Sequence, residues 1–304
     1  MSVIERTTEA DASAGEAPAG PVSGKRDLPN TALTVWGVLV FAFLFLPILV
    51  IVVYSFNNGR LLAAWDSFGF DAYVNGLSNK VIRGAISTSL QAAAGSAIVS
   101  TIIGTLGGIA LARAKIRAKW ALGLTLLLSF TLVTPEIVDA IALLPWFVTL
   151  GVDAGVSPLN NGMVRLVIAH SVVSMAVVTF IIRARMAGLD QSLEEAAADL
   201  YATPWRRFRD ITLPMAGPGI LAGALMSFTL SLDNTIVSSF VQQPGFTPWP
   251  VYIFSSLRVA LRPEIAAVST LMFILTLVAL GVVAYVLRKV GESSTDIVKA
   301  MTGS

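Results

Sequence analysis

The sequence predicts an all-α fold, that of a polytopic membrane protein with six transmembrane helices. Three observations carry this. Of the 304 residues, 55% are hydrophobic and only 13% are charged, about half the charged share of a typical soluble domain. Mean hydropathy is +0.76. The apolar residues gather into six runs, near Leu33–Tyr54, Ser87–Ala112, Trp120–Leu150, Met163–Ile182, Ala216–Val241 and Ala266–Leu287. Each run suffices for a helix crossing about 30 Å of hydrocarbon, which takes roughly 20 residues.

Taken in order, residues 1–28 are rich in Ala, Gly, Ser, Pro and Glu without an apolar period. They read as a disordered cytoplasmic tail. They are no signal peptide, because the apolar run behind them starts too late and is too long. Residues 29–290 form the transmembrane domain, and residues 291–304 a cytoplasmic C-terminal tail. The third run is long enough to hold a break, and Pro135 and Pro145 lie inside it. With the N-terminus inside, fifteen of the 21 Lys and Arg fall in cytoplasmic segments. The positive-inside rule therefore places both termini in the cytoplasm.

Several chemistries are excluded. There is no cysteine and a single histidine, His170, so neither thiolate nor multi-His metal centres are possible and no metal site is expected. No G-x-x-x-x-G-K-[ST], H-E-x-x-H or G-x-S-x-G occurs, so the chain holds no usual ATP cradle and no expected catalytic residue. A net charge of +2 gives no field for nucleic acid. His170, beside Ser171 and Ser174, reads as a hydrogen-bonded packing residue. Gly104 and Gly108 permit close helix approach. Trp36 and Trp120 near the inner interface, and Trp146 and Trp249 near the outer one, fit an aromatic belt in contact with membrane lipid, although Trp249 could also meet a solute or a protein outside.

Between runs four and five lies a charged loop, residues 190–214, on the cytoplasmic side. Ser192 followed by Glu195 reads as a capping box. Leu193, Ala196, Ala197, Leu200 and Tyr201 then fall on one helical face. Thr203-Pro204 ends this helix and starts a second. The loop is either a solvated strip with membrane-surface arginines or an ordered docking surface.

Three acids lie inside the runs: Glu136 and Asp139 in the third, Asp233 beside Asn234 in the fifth. Each stands about 16 residues from the cytoplasmic end of its run, roughly 24 Å at 1.5 Å per residue. Facing lipid, each acid would cost about 2.5–3.5 kcal/mol. They should therefore line a cavity or meet a partner. Glu136, Asp139, Asp233 and Asn234 are the candidates for a path taken by a cationic solute. The structural alternatives are a cap on a broken helix for Asp233, and freed N–H groups or a partner arginine for Glu136.

Glu195-Ala196-Ala197, with Ile211-x-Leu213-Pro214 at its distance, resembles the coupling loop of ABC importer permeases. Ser227–Pro244, Val251–Leu271, Tyr54–Phe68 and Pro135–Leu144 are similar to the second permease subunit of spermidine/putrescine importers. The resemblance covers nearly all of residues 33–290. It implies a type I ABC importer permease fold in a bacterial inner membrane, and a path for a polyamine or related small cation. It implies as partners a second homologous permease, a dimer of ATP-binding subunits holding ATP and Mg, and a periplasmic or lipid-anchored substrate-binding protein. It implies that Glu195, Ala196, Ala197, Tyr201, Ile211, Leu213 and Pro214 couple to the ATPase. Tyr201 stands where the family pattern has glycine. The rival readings are an ion-coupled secondary transporter, disfavoured because no internal repeat is seen, and an importer for an opine or amino-acid derivative.

Overall fold

The computed structural model describes residues 28–62, 64–115, 118–258 and 261–289; the predicted tails lie outside these, apart from Leu28. The helices in chain order are α1 (Leu28–Tyr54), α2 (Asp71–Ser78), α3 (Lys80–Ala112), α4 (Lys119–Val133), α5 (Glu136–Val148), α6 (Gly162–Ala187), α7 (Ser192–Asp199), α8 (Pro204–Arg207), α9 (Leu213–Asp233), α10 (Ile236–Val241), α11 (Trp249–Ser256) and α12 (Pro263–Lys289). Strand pairing among the described residues is limited to an isolated bridge between Asn57 and Phe68.

The chain divides into two compact units, Met1–Leu49 and Val50–Ser304. The described part of the first is the leading portion of α1. Its Leu33, Trp36, Phe43 and Leu44 are all more than half exposed. A helix that is apolar all round suits hydrocarbon.

In the second unit α3, α6 and α9 pack on one another. Glycine makes this possible on α3. A Cβ on Gly104 would sit 2.7 Å from the Val178 Cβ, and one on Gly108 2.6 Å from the Ile182 Cβ. The predicted close approach is thus between α3 and α6. Asn79 and Asn161 cap α3 and α6 by accepting from the N–H groups of the first turn, as Asn at an N-cap does.

Among the described residues five segments are long and apolar enough to cross a membrane: Thr31–Tyr54, Lys80–Ala112, Gly162–Ala187, Pro204–Asp233 and Pro263–Val282. The sixth is the bent pair Lys119–Val133 and Glu136–Asp153, turned by 106°. The turn falls at Thr134-Pro135. Proline pushes the residue before it out of the α region, and Thr134 has ψ 130. Pro145, by contrast, lies inside α5 without ending it.

Two expectations need correction. The fifth run is not one helix to Val241: it stops at Asp233 and resumes as α10. Ser231, Asp233, Asn234 and Thr235 offer local side-chain bonds that compete with the helix, and Asn234 leaves the helix with ψ 99. Trp249 does not belong to a lipid-facing belt. It is 3% exposed, its N–H donates to Ser89 Oγ at 2.7 Å, and its ring stacks on Tyr252.

Candidate coupling and translocation sites

The loop 190–214 is ordered. α7 starts at Ser192, but the capping box is not formed. Ser192 occupies the first helical position, and its N–H and hydroxyl both donate to the Asp190 carboxylate at 2.9 and 2.7 Å. These bonds hold the Asp190 carboxyl below the usual carboxylate range. Asp190, two residues earlier, thus holds the start of α7 in place of the expected Ser192 cap, with two acceptor oxygens.

At the other end of α7, Tyr201 is not on the apolar face of the helix. It lies beyond the last helical turn with φ 60. Its N–H donates to the Ala198 carbonyl at 3.0 Å, and the Ala202 N–H to the Ala197 carbonyl at 2.9 Å. That pair of bonds is a Schellman motif, whose left-handed position glycine usually fills. The glycine that the resemblance implies at this position would therefore have a backbone reason. A tyrosine there carries a strain of about 1 kcal/mol and presents a ring that is 95% exposed.

Thr203 caps α8, accepting from the Arg206 N–H at 3.4 Å, with Pro204 in the first turn. A wide π turn, Phe208–Thr212, joins α8 to α9, so Ile211, Leu213 and Pro214 belong to one helical path from the loop into the fifth span. Glu195 and Ala196 are exposed and Ala197 half-buried. The residue missed from sequence is Glu194. Its Oε1 accepts from Arg113 Nη2 and from Thr212 Oγ1, each at 2.9 Å. One carboxylate oxygen thereby ties α7 to the end of α3 and to the root of α9. Two adjacent glutamates are indistinguishable by spacing until the partner of each is known.

The intramembrane candidates fall at two helix breaks. Glu136 opens α5 just after Pro135 and is exposed. Asp139 is half-buried on the same helix, and its Oδ2 is buried with no hydrogen-bond partner. The 106° turn means that residue count along the third run no longer measures height past Val133, which corrects the level assigned to Asp139. Asp233 ends α9 and lines a cavity of about 540 Å³ with Thr229, Thr235, Trp249, Phe254 and Phe273. Asn234, one residue before the N-cap Thr235, accepts the N–H of Ser238 in the first turn of α10 at 3.3 Å.

The two breaks share one apolar core. Ala140 and Phe147 of α5, Leu166 and Ala169 of α6, and Val237 and Val241 of α10 form a single buried cluster with Ala92 of α3. His170 is buried, as expected of a packing residue, but its partners come from another span. Its Nδ1 lies 2.6 Å from Ser231 Oγ and its Nε2 2.8 Å from Ser238 Oγ.

A family model described as the binding-protein-dependent transport system inner membrane component matches residues 104–295, well over half of the chain. The chain belongs to that permease family. The permease is 38% identical over 248 residues to the putrescine transport system permease protein PotI of Escherichia coli (strain K12), covering 82% of this chain and 86% of that one. It is 34% identical over 261 residues to the spermidine/putrescine transport system permease protein PotC of the same strain, covering 86% and 95%. Among solved structures it resembles a chain of a bacterial ABC transporter involved in the import of the acidic polysaccharide alginate. The TM-score is 0.68 at 16% identity, over 88% of this chain and 98% of that chain. The fold of the permease is therefore that of type I ABC importers.

Proposed function

We propose that this permease forms half of the translocation path of an ATP-driven importer for a polyamine or a related small organic cation. The observation that carries the reading is the Asp233 cavity. A carboxylate at a helix end, in a cavity lined also by Thr229, Thr235 and Phe273, offers charge pairing to an ammonium group with an aromatic ring in the same cavity. The names of the putrescine and spermidine/putrescine relatives support the same class of solute.

In this reading a second permease subunit completes the path, and a binding protein delivers the solute from outside. Two ATP-binding subunits, which hold ATP and Mg, grip the loop 190–214. Glu195 and the exposed side chains of Leu193, Leu200, Tyr201 and Trp205 form the docking surface on this chain. Closure of the ATPases moves α7, and Glu194 passes the motion to α3 and α9. α9 carries it to Asp233, so the cavity opens to alternate sides. Both termini lie in the cytoplasm, as the Lys and Arg distribution favours.

The test is uptake by the assembled transporter in vesicles, with putrescine and spermidine as substrates. Asp233→Asn is expected to lower amine uptake at least about tenfold, the loss of one charge-assisted bond, while ATP-binding subunits still co-purify. Uptake unchanged in Asp233→Asn contradicts the assignment of the site.

A further inference from the structure

The acid of the proposed amine site stands at a break in a helix, where the local bonds, Thr235 hydroxyl to Asp233 carbonyl at 3.2 Å and Ser238 N–H to Asn234 Oδ1 at 3.3 Å, do not tie the break to the rest of the bundle. Asn234 and Thr235 are two residues with rotatable backbones between α9 and α10. The apolar contacts of Val237 and Val241 hold α10 against the core, but such contacts are non-directional. What supplies direction is His170 on α6. Its two ring nitrogens bond Ser231 on α9 and Ser238 on α10, one on each side of the break. All three side chains are buried: His170 is 3%, Ser231 5% and Ser238 0% exposed.

The spacing is informative. In an unbroken helix Ser231 and Ser238 would stand about 10.5 Å apart along the axis, seven residues at 1.5 Å each. Bonds of 2.6 and 2.8 Å to the two nitrogens of one five-membered ring draw their oxygens closer than that. The imidazole thus bridges the two helices across the break. A neutral imidazole offers one donor and one acceptor, and each serine hydroxyl can play either part, so the chain Ser231–His170–Ser238 is satisfied in either direction.

We propose that His170 is a positioning residue of the translocation site: by clamping Ser231 and Ser238 it fixes α10 on α9 and sets where Asp233 meets its cavity. This rests on the reading of Asp233 as the amine-binding acid. The clamp is built on α6, which packs against both α3 and α9, so the break is referred to the rigid part of the bundle. The Asp233 carboxylate has no hydrogen bond or ion pair among the described residues; only its backbone carbonyl is bonded, accepting from the Thr235 hydroxyl at 3.2 Å, so the place of the carboxylate depends on the backbone that carries it.

The chain has no cysteine, so the clamp can be read directly by paired nitroxide labels. Leu230→Cys and Ser239→Cys put one label on each side of the break. With His170 present, the labels should give one narrow distance distribution. It should broaden or shift in His170→Leu and in the gentler pair Ser231→Ala with Ser238→Ala, and partly recover in His170→Gln, which keeps a donor and an acceptor. In the assembled transporter the same variants should raise the KM for putrescine about tenfold, the loss of roughly two hydrogen bonds, with the maximal rate of ATP turnover little changed. An unaltered distance distribution in both the His170→Leu and the double-serine backgrounds overturns the clamp. An altered distribution with a wild-type KM, where Asp233→Asn abolishes uptake, overturns its role in positioning Asp233. Wild-type uptake in Asp233→Asn instead defeats the amine-site reading, and the label distances still decide the clamp.

Discussion

Glu194 and Arg113 meet at 2.9 Å across 81 residues of sequence. The Thr212 hydroxyl donates to the same carboxylate oxygen at 2.9 Å. Side chains of both charged partners are about four-fifths buried, so the pair is shielded from the screening that weakens surface ion pairs. Three helices are joined at one atom, and the two bonds resist a shift of any one of them relative to the others.

The first prediction concerns that joint. Glu194→Gln should retain expression and ATPase binding but lower transport at least about tenfold, since a hydrogen bond to a charged group contributes roughly 1.5–3 kcal/mol. Glu195→Gln should instead weaken co-purification of the ATP-binding subunits, because Glu195 faces outward. Pull-down and vesicle uptake with both variants separate the two roles. Equal phenotypes would contradict the division.

Tyr201→Gly should relieve the left-handed strain and stabilise the end of α7 by about 1 kcal/mol. Tyr201→Val should destabilise it, because a branched side chain tolerates positive φ worse. Hydrogen exchange at the Tyr201 and Ala202 amides measures both effects. If the ring itself is part of the ATPase joint, Tyr201→Gly will lose co-purification while slowing exchange.

The glycines of α3 give a contrast within one helix. Gly108→Ala forces a Cβ to within 2.6 Å of the Ile182 Cβ and 2.8 Å of the Thr179 carbonyl, an overpacking that costs about 1–3 kcal/mol. Gly84→Ala meets nothing within 4 Å and should be neutral, or stabilise by up to about 1 kcal/mol through helix propensity. Thermal unfolding in detergent should therefore fall for the first and hold or rise for the second.

The α7 start has a defined acid limit. Asp190 is held below the usual carboxylate range by the Ser192 N–H and hydroxyl. A depressed carboxylate contributes stability above its ordinary pKa and loses it as pH falls through the lowered one. Protection of the first-turn amides of α7 should stay constant from pH 8 to pH 5 and decline only in stronger acid. A decline centred near neutrality would point to another group.

The spans were legible because hydrocarbon demands long apolar runs, and the break at Thr134-Pro135 because proline acts on the residue before it. The break at Asp233 was legible only as the structural alternative for that acid, a cap on a broken helix: the apolar Ile236 and Val237 continue the run, and neither proline nor glycine marks it. His170 could be read as a packing residue from its neighbours, but its partners lie 61 and 68 residues away, where no periodicity points. The helical spacing that puts Tyr201 on the apolar face runs two residues past the end of α7 at Asp199, and a tyrosine gives no sign of a left-handed turn. Glu194 and Glu195 look alike in sequence, and only Arg113 and Thr212 distinguish them. Asp139 and Asp233 were visible as charges out of place, since an acid in hydrocarbon calls for an explanation whatever the fold.

The central claim is that this chain carries an organic cation only as part of an ATP-driven assembly. The most direct measurement is putrescine uptake into vesicles holding the chain with its second permease and ATP-binding subunits, with the binding protein outside and ATP inside. Uptake should require ATP, the binding protein and Asp233 together. Putrescine uptake by this chain alone, driven by an ion gradient without ATP, would contradict it.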